Sequence, residues 1–234
     1  MIKTIFFDLD GTLNLMNQDT FTKEYVNTFI EYAAPFGYDP RTLIKAIRTS
    51  TGAMMSNDGS RPNSVAFWET MPKILGEGVI KHKEQFDAFY ATAFDKLHLA
   101  CPDNPRAPEL IEKLKNAGYR LIIASNPVFP ISAHKMRLKW TGVDPDDFDY
   151  ISDYENSRYC KPSPKYYTEM TDKLDLDPAE CLMVGNNVRE DMAAAGVGMD
   201  TFLITYMVIN EENEDISKFK RGDYDALLDY LGVK

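Results

Sequence analysis

The sequence predicts an α/β fold, a doubly wound parallel sheet that carries an all-helical insertion after its first strand. Three observations predict it. Short, wholly apolar runs alternate with helical patterns in the second half of the chain. Several of those helical patterns close on a glycine. Residues 15–95 show helical periodicity and no strand-like run.

The first run, residues 2–7, is dense in Ile and Phe, too short for a helix, and stopped by Asp-Gly-Thr. It reads as a buried strand. Residues 120–124, 181–184 and 201–204 read the same way, and 148–151 forms a weaker fourth. Short strands apolar on both sides belong in a parallel sheet covered on both faces. A helix over 108–117 carries Leu110, Ile111 and Leu114 and stops at Gly118. Ser163 supplies an N-cap and Pro164 a first turn for a helix to about residue 174. Residues 191–195 are alanine-rich and end at Gly196, and 225–231 end at Gly232. In the insertion, Phe21, Tyr25, Phe29 and Ala33 recur every four residues, with Val26 and Ile30 beside them. Leu43 and Ile47, then Phe86, Phe89 and Tyr90, mark further amphipathic helices. Phe67 and Trp68 are expected in the core of this insertion. Residues 56–63 are a dense turn signal, expected as an exposed loop. The resulting organisation is a Rossmann-like core (1–14 and 96–234) and a helical domain (15–95).

Composition narrows the function. A chain of 234 residues holds one large domain or two unequal ones. A net charge of −10 argues against nucleic-acid binding, which needs a basic footprint. Neither a basic amphipathic helix nor an apolar run of membrane-spanning length is present. With 44% hydrophobic residues the chain can build a core and is not disordered. Asp8 comes too early for a signal peptide. Cys101, Cys160 and Cys181 are odd in number and unpatterned, as expected of reduced thiols in a cytoplasmic protein. A monomer is the default expectation.

The chemistry centres on Asp8-Leu9-Asp10-Gly11-Thr12 at the end of the first strand, where doubly wound sheets bind ligands. Two carboxylates about 4 Å apart repel by about 4 kcal/mol at an effective dielectric near 20. A divalent cation with oxygen ligands relieves that, and Mg²⁺ commonly joins one or two carboxylates to a substrate phosphate. Gly11 permits the tight turn. Later strands lead to partners at the same sheet edge: Ser125-Asn126, Lys161-Pro162, and Gly185-Asn186-Asn187 running to Asp191. Singly, each has an ordinary use as a loop entry, a solvated cation or a helix-start acid. Four in order, each after a strand, are hard to explain that way.

This constellation resembles the haloacid dehalogenase superfamily, mostly Mg²⁺-dependent phosphohydrolases. The four motifs span the whole core, and the insertion looks like that family's helical cap of the first type. The resemblance implies that Asp8 is a nucleophile forming an aspartyl-phosphate, and that Asp10 protonates the leaving alcohol and then activates water. It implies that Ser125 and the Asn126 N–H hold phosphoryl oxygens while Lys161 neutralises charge and orients Asp8. Mg²⁺ would be held by Asp8, the Asp10 carbonyl and the acidic loop, with a small phosphate ester as substrate. Gly11, Arg48 and Arg61 complete the substrate-contacting candidates, the two arginines as cap cations for a distal anion.

One departure stands out. The family usually shows Gly-Asp at the start of the last motif, and here Asn186 stands in the acid's place, followed by Asn187. An amide oxygen can bind Mg²⁺ without a charge, so Asp191 is expected to carry more weight. Glu190 is expected to face solvent, and His82, His98 and His134 share no ligand spacing. The competing readings are a phosphomutase, a 2-haloacid dehalogenase and a non-catalytic phosphate-ligand module. Asp10 argues against the dehalogenase, whose pattern lacks that second acid.

Overall fold

The computed structural model describes residues 1–234. Six parallel strands form one sheet: β1 (Thr4–Phe7), β2 (Arg120–Ile123), β3 (Tyr150–Ile151), β4 (Cys181–Gly185), β5 (Asp200–Ile204) and β6 (Arg221–Gly222). Their order is β3-β2-β1-β4-β5-β6. The chain moves one way from β1 to β3 and the other way from β4, so the topological switch lies between β1 and β4. Residue alternation explains the two covers. Ile5, Phe7, Leu121, Ile123, Leu182 and Val184 join one apolar cluster with α5 (Arg106–Asn116) and α8 (Tyr224–Leu231). Phe6, Ile122, Cys181 and Met183 point the other way, against Tyr166, Tyr167 and Met170 of α7 (Pro164–Lys173). Ser163 occupies the N-cap of α7, but its hydroxyl makes no capping bond.

The insertion comprises α1 (Gln18–Ala33), α2 (Pro40–Met55), α3 (Asn63–Leu75) and α4 (Lys83–Ala91), with 3₁₀ turns after α3 and α4. Its core is aromatic: Phe21, Phe29, Trp68, Phe86, Phe89 and Phe94. That cluster continues into Leu97 and Cys101, and onto Ala133 and Trp140 of α6 (Ile131–Trp140). The Phe94 and Trp140 rings stack at 5.3 Å.

Two local expectations are corrected, and two elements were not expected. Residues 192–197 form a 3₁₀ turn closed by Gly198 at φ +92°, rather than a helix ending at Gly196. A six-residue stretch is too short to sustain an α-helix by propensity. Helix α6 and strand β6 had no sequence signal. The end of the turn-rich loop is not exposed: Asn63 is fully buried, and its N–H donates to Ser157 O at 2.9 Å. Its side-chain amide donates to Pro127 O at 3.3 Å, which ties the start of α3 to the loop after β2.

Candidate active site

Parallel strands deliver their C-terminal ends to one edge, and the candidate residues gather there. Asp8 follows β1, Ser125 and Asn126 follow β2, and Asn186 follows β4. A cavity of about 400 Å³ opens over this edge, and Asp8, Asp10, Ser125, Asn126 and Asn186 line it. Across it the insertion contributes Phe21, Tyr25, Ile47 and Arg48, among others. Arg61 does not line this cavity. It pairs with Glu69 at 3.0 Å, because it sits in the loop before α3 while Arg48 projects from α2.

The loop after β1 folds back on itself. Gly11 N–H donates to Asn14 O at 2.7 Å and Asn14 N–H to Leu9 O at 2.8 Å. Gly11 has φ +89°, and a Cβ there would lie 2.2 Å from Nδ2 of Asn186. Both the backbone and the close approach of Asn186 therefore need glycine. At Gly185 close approach alone requires glycine, since a Cβ would lie 2.1 Å from Oδ2 of Asp191.

Lys161 is completely buried, and Nζ lies 2.9 Å from Asp8 Oδ1 and 2.6 Å from Asp191 Oδ1. Burial works against its charge, but Asp191 and then Asp8 hold the ammonium well above the ordinary lysine value. Asp191 also accepts from the Asn187 N–H at 2.8 Å on its other oxygen. Both its oxygens are thus engaged, and it reaches the site through Lys161 rather than by lining the cavity. Burial pushes the Asp191 carboxyl above the usual range.

Asp10 is held differently. Asn14 Nδ2 donates to Oδ1 at 3.2 Å, and Arg137 Nη1 donates to Oδ2. Burial raises the Asp10 carboxyl, Arg137 opposes this, and Asp8 adds to the rise. Glu190 turns inward instead of facing solvent. It accepts from Asn126 Nδ2 at 3.3 Å and lines the cavity, and burial raises its carboxyl too. Behind β2 the Ser125 carbonyl accepts from Ser152 Oγ at 2.7 Å and Tyr166 Oη at 2.8 Å, which fixes that turn. His82 and His98 lie away from the cavity.

The donor set suits a hard divalent cation. The Thr12 hydroxyl lies 3.3 Å from Asp8 Oδ2 and 3.2 Å from Asn186 Oδ1, so these two oxygens gather at one point. The Asn186 amide nitrogen is committed to Met207 O at 2.6 Å, which turns its oxygen toward Asp8. Asp8, Asp10 and Asp191 share only Lys161 and Arg137, so carboxylates outnumber cations. All-oxygen donors with surplus negative charge fit Mg²⁺.

Three residues here had no sequence signal: Asn14, His134 and Arg137. His134 is fully buried, and its Nδ1 lies 2.9 Å from Arg137 Nη2. Burial, then the adjacent Arg137, hold its imidazole well below the usual value, so it is neutral.

The model of the haloacid dehalogenase-like hydrolase family matches residues 2–198, and the chain belongs to that family. Pyrophosphatase PpaX of Bacillus velezensis is 25% identical over 100% of this chain and 98% of its own length. Phosphoglycolate phosphatase of Psychrobacter arcticus is 27% identical, covering 97% and 94%. A haloacid dehalogenase-like phosphatase structure from Thermococcus onnurineus superposes with a TM-score of 0.62 at 21% identity, covering 100% and 99%. That likeness agrees with the Rossmann-like core. No helix is long and apolar enough to cross a membrane.

Proposed function

We propose that this chain hydrolyses a small phosphomonoester with Mg²⁺, through an aspartyl-phosphate on Asp8. The observation that carries the reading is the Asp8 carboxylate. It stands at the C-terminal end of the central strand, with Oδ1 on Lys161 at 2.9 Å, and lines one cavity with Asp10 and Ser125.

In the first step an Asp8 oxygen attacks phosphorus and the bond to the ester oxygen breaks. Asp10 gives its proton to the departing alcohol. In the second step water attacks phosphorus, the bond to Asp8 breaks, and the Asp10 carboxylate takes the water's proton. Ser125 Oγ and the Asn126 N–H hold phosphoryl oxygens, and Gly11 lets the loop backbone approach them. Lys161 fixes Asp8 and offsets its charge, and Asp191 holds Lys161. Asp8, the Asp10 carbonyl and Asn186 would hold Mg²⁺, with Asp191 acting on the site indirectly. The bound ion supplies positive charge next to the transferring group. Arg48, at the far wall of the cavity, reads a second anionic group on the substrate. The three free cysteines suit a cytoplasmic enzyme, and a monomer suffices because one chain holds every named group.

The test is phosphate release from p-nitrophenyl phosphate, phosphoglycolate, glyceraldehyde 3-phosphate and pyrophosphate, with Mg²⁺ and with EDTA. The reading expects Mg²⁺-dependent release that Asp8→Asn abolishes. Release that survives Asp8→Asn contradicts it. Conversion of a hexose phosphate without phosphate release would mark a mutase instead.

A further inference from the structure

Arg137 is only 1% exposed, yet its guanidinium ends at the catalytic cavity. Each part of the fork is committed. Nε donates to Ala133 O at 3.2 Å, Nη2 meets His134 Nδ1 at 2.9 Å, and Nη1 reaches Asp10 Oδ2. The Phe129 ring covers the guanidinium at 4.9 Å. The neutral His134 ring offers a lone pair where a charged one would repel.

A buried guanidinium is expensive, and packing alone is better served by an apolar side chain of similar size. Of its buried neighbours on α6, Ala133, Leu138 and Trp140 are apolar, and the one other polar group, His134, meets the fork itself. The exception is therefore tied to what the fork touches. On the other side of the same carboxylate, Asn14 donates to Oδ1. One donor on each oxygen leaves the remaining lone pairs for the cavity that Asp10 lines.

We propose that Arg137 is a positioning residue: with Asn14 it clamps the Asp10 carboxyl in the orientation that reaches the leaving oxygen and the incoming water. The proposal rests on the reading of Asp10 as proton donor and acceptor. A planar fork fixed at two other points loses little freedom in making the third contact.

The consequence depends on the leaving group. An alkoxide needs a proton as it departs, whereas p-nitrophenolate leaves without one. The test compares kcat/KM for benzyl phosphate and p-nitrophenyl phosphate, because kcat/KM reports the step before the shared aspartyl-phosphate forms. Arg137→Met should lower the benzyl ester value by about 100-fold and the nitrophenyl value by no more than about threefold. Arg137→Lys keeps charge without the fork and should show a smaller loss with the same preference. Adding Arg137→Met to Asp10→Asn should cost little more than Asp10→Asn alone. Thermal melts accompany each variant. If the Arg137 variants do not fold, Asn14→Leu removes the other half of the clamp and should give the same split.

Equal losses on both esters overturn the proposal and assign Arg137 to the fold. A rise in KM alone overturns it in favour of direct substrate contact, and faster turnover overturns it in favour of a restraint. If Asp10→Asn itself spares benzyl phosphate, the proton-transfer reading of Asp10 fails first, and the clamp falls with it.

Discussion

Replacing Lys161 by methionine keeps the unbranched stem as far as Cε and removes the ammonium that two buried carboxylates share. Asp191 is 1% exposed and Asp8 12% at the side chain, and both stand within 3 Å of Nζ. Asp191 would keep one backbone N–H and Asp8 the Thr12 hydroxyl. Neither replaces a full charge. Removing one member of a buried ion pair costs about 3–5 kcal/mol, and here one removal strands two partners. The expected deficit in EDTA at about pH 8 is therefore about 4 kcal/mol, a large share of a typical domain's stability. Urea unfolding with an unchanged m-value measures it. Burial raises the Asp191 carboxyl, and its share of the cost exists only while it is ionised, so the deficit should shrink as pH falls toward about 5. Adding Asp191→Asn to Lys161→Met should recover about 1–3 kcal/mol. A Lys161→Met protein within about 1 kcal/mol of wild type, or a deficit indifferent to pH, would refute the electrostatic account of this cluster.

Other outcomes follow from the same geometry. His134 is buried neutral with a depressed value, so its contribution is complete above its unfolded value near 6.5 and is lost as pH falls below it. Wild type should lose about 1.4 kcal/mol more than His134→Gln between about pH 7.5 and 5.5, measured by urea unfolding. Asn186→Asp adds a charge beside Asp8 and should tighten Mg²⁺ binding about tenfold, read by titration calorimetry, since second carboxylates suit this ion. Arg48→Ala should raise KM about tenfold for substrates with a second anion, whereas Arg61→Ala, on its pair with Glu69, should leave KM within about twofold.

How much of this was legible depended on where each signal lay. Strands β1, β2, β4 and β5 announced themselves because burial on both faces demands uninterrupted apolar residues. Strand β6 pairs through two residues, Arg221 and Gly222, at the sheet edge, where nothing demands an apolar run. Helix α6 hid because it packs on two sides. Ala133 and Trp140 face the insertion's aromatic cluster and Leu138 faces the sheet, so no single stripe forms. Asp8, Ser125, Asn126 and Asn186 were readable because each comes directly after a strand of a parallel sheet, which fixes the edge they reach. Arg137 and His134 reach that edge sideways from α6, and no spacing rule connects them to Asp10. Asp191 was visible as a motif acid, but its task of holding Lys161 depends on the close approach to Gly185 that only the fold reveals.

The most direct test of the central claim is to trap the intermediate. Wild type, Asp8→Asn and Asp10→Asn would be mixed with ³²P-labelled p-nitrophenyl phosphate and Mg²⁺, quenched in acid, digested and mapped. The account predicts hydroxylamine-sensitive label on the peptide containing Asp8, more of it in Asp10→Asn, where hydrolysis of the intermediate is slowed, and none in Asp8→Asn. Phosphate release by the wild type with no label at Asp8, or label that persists in Asp8→Asn, would contradict it.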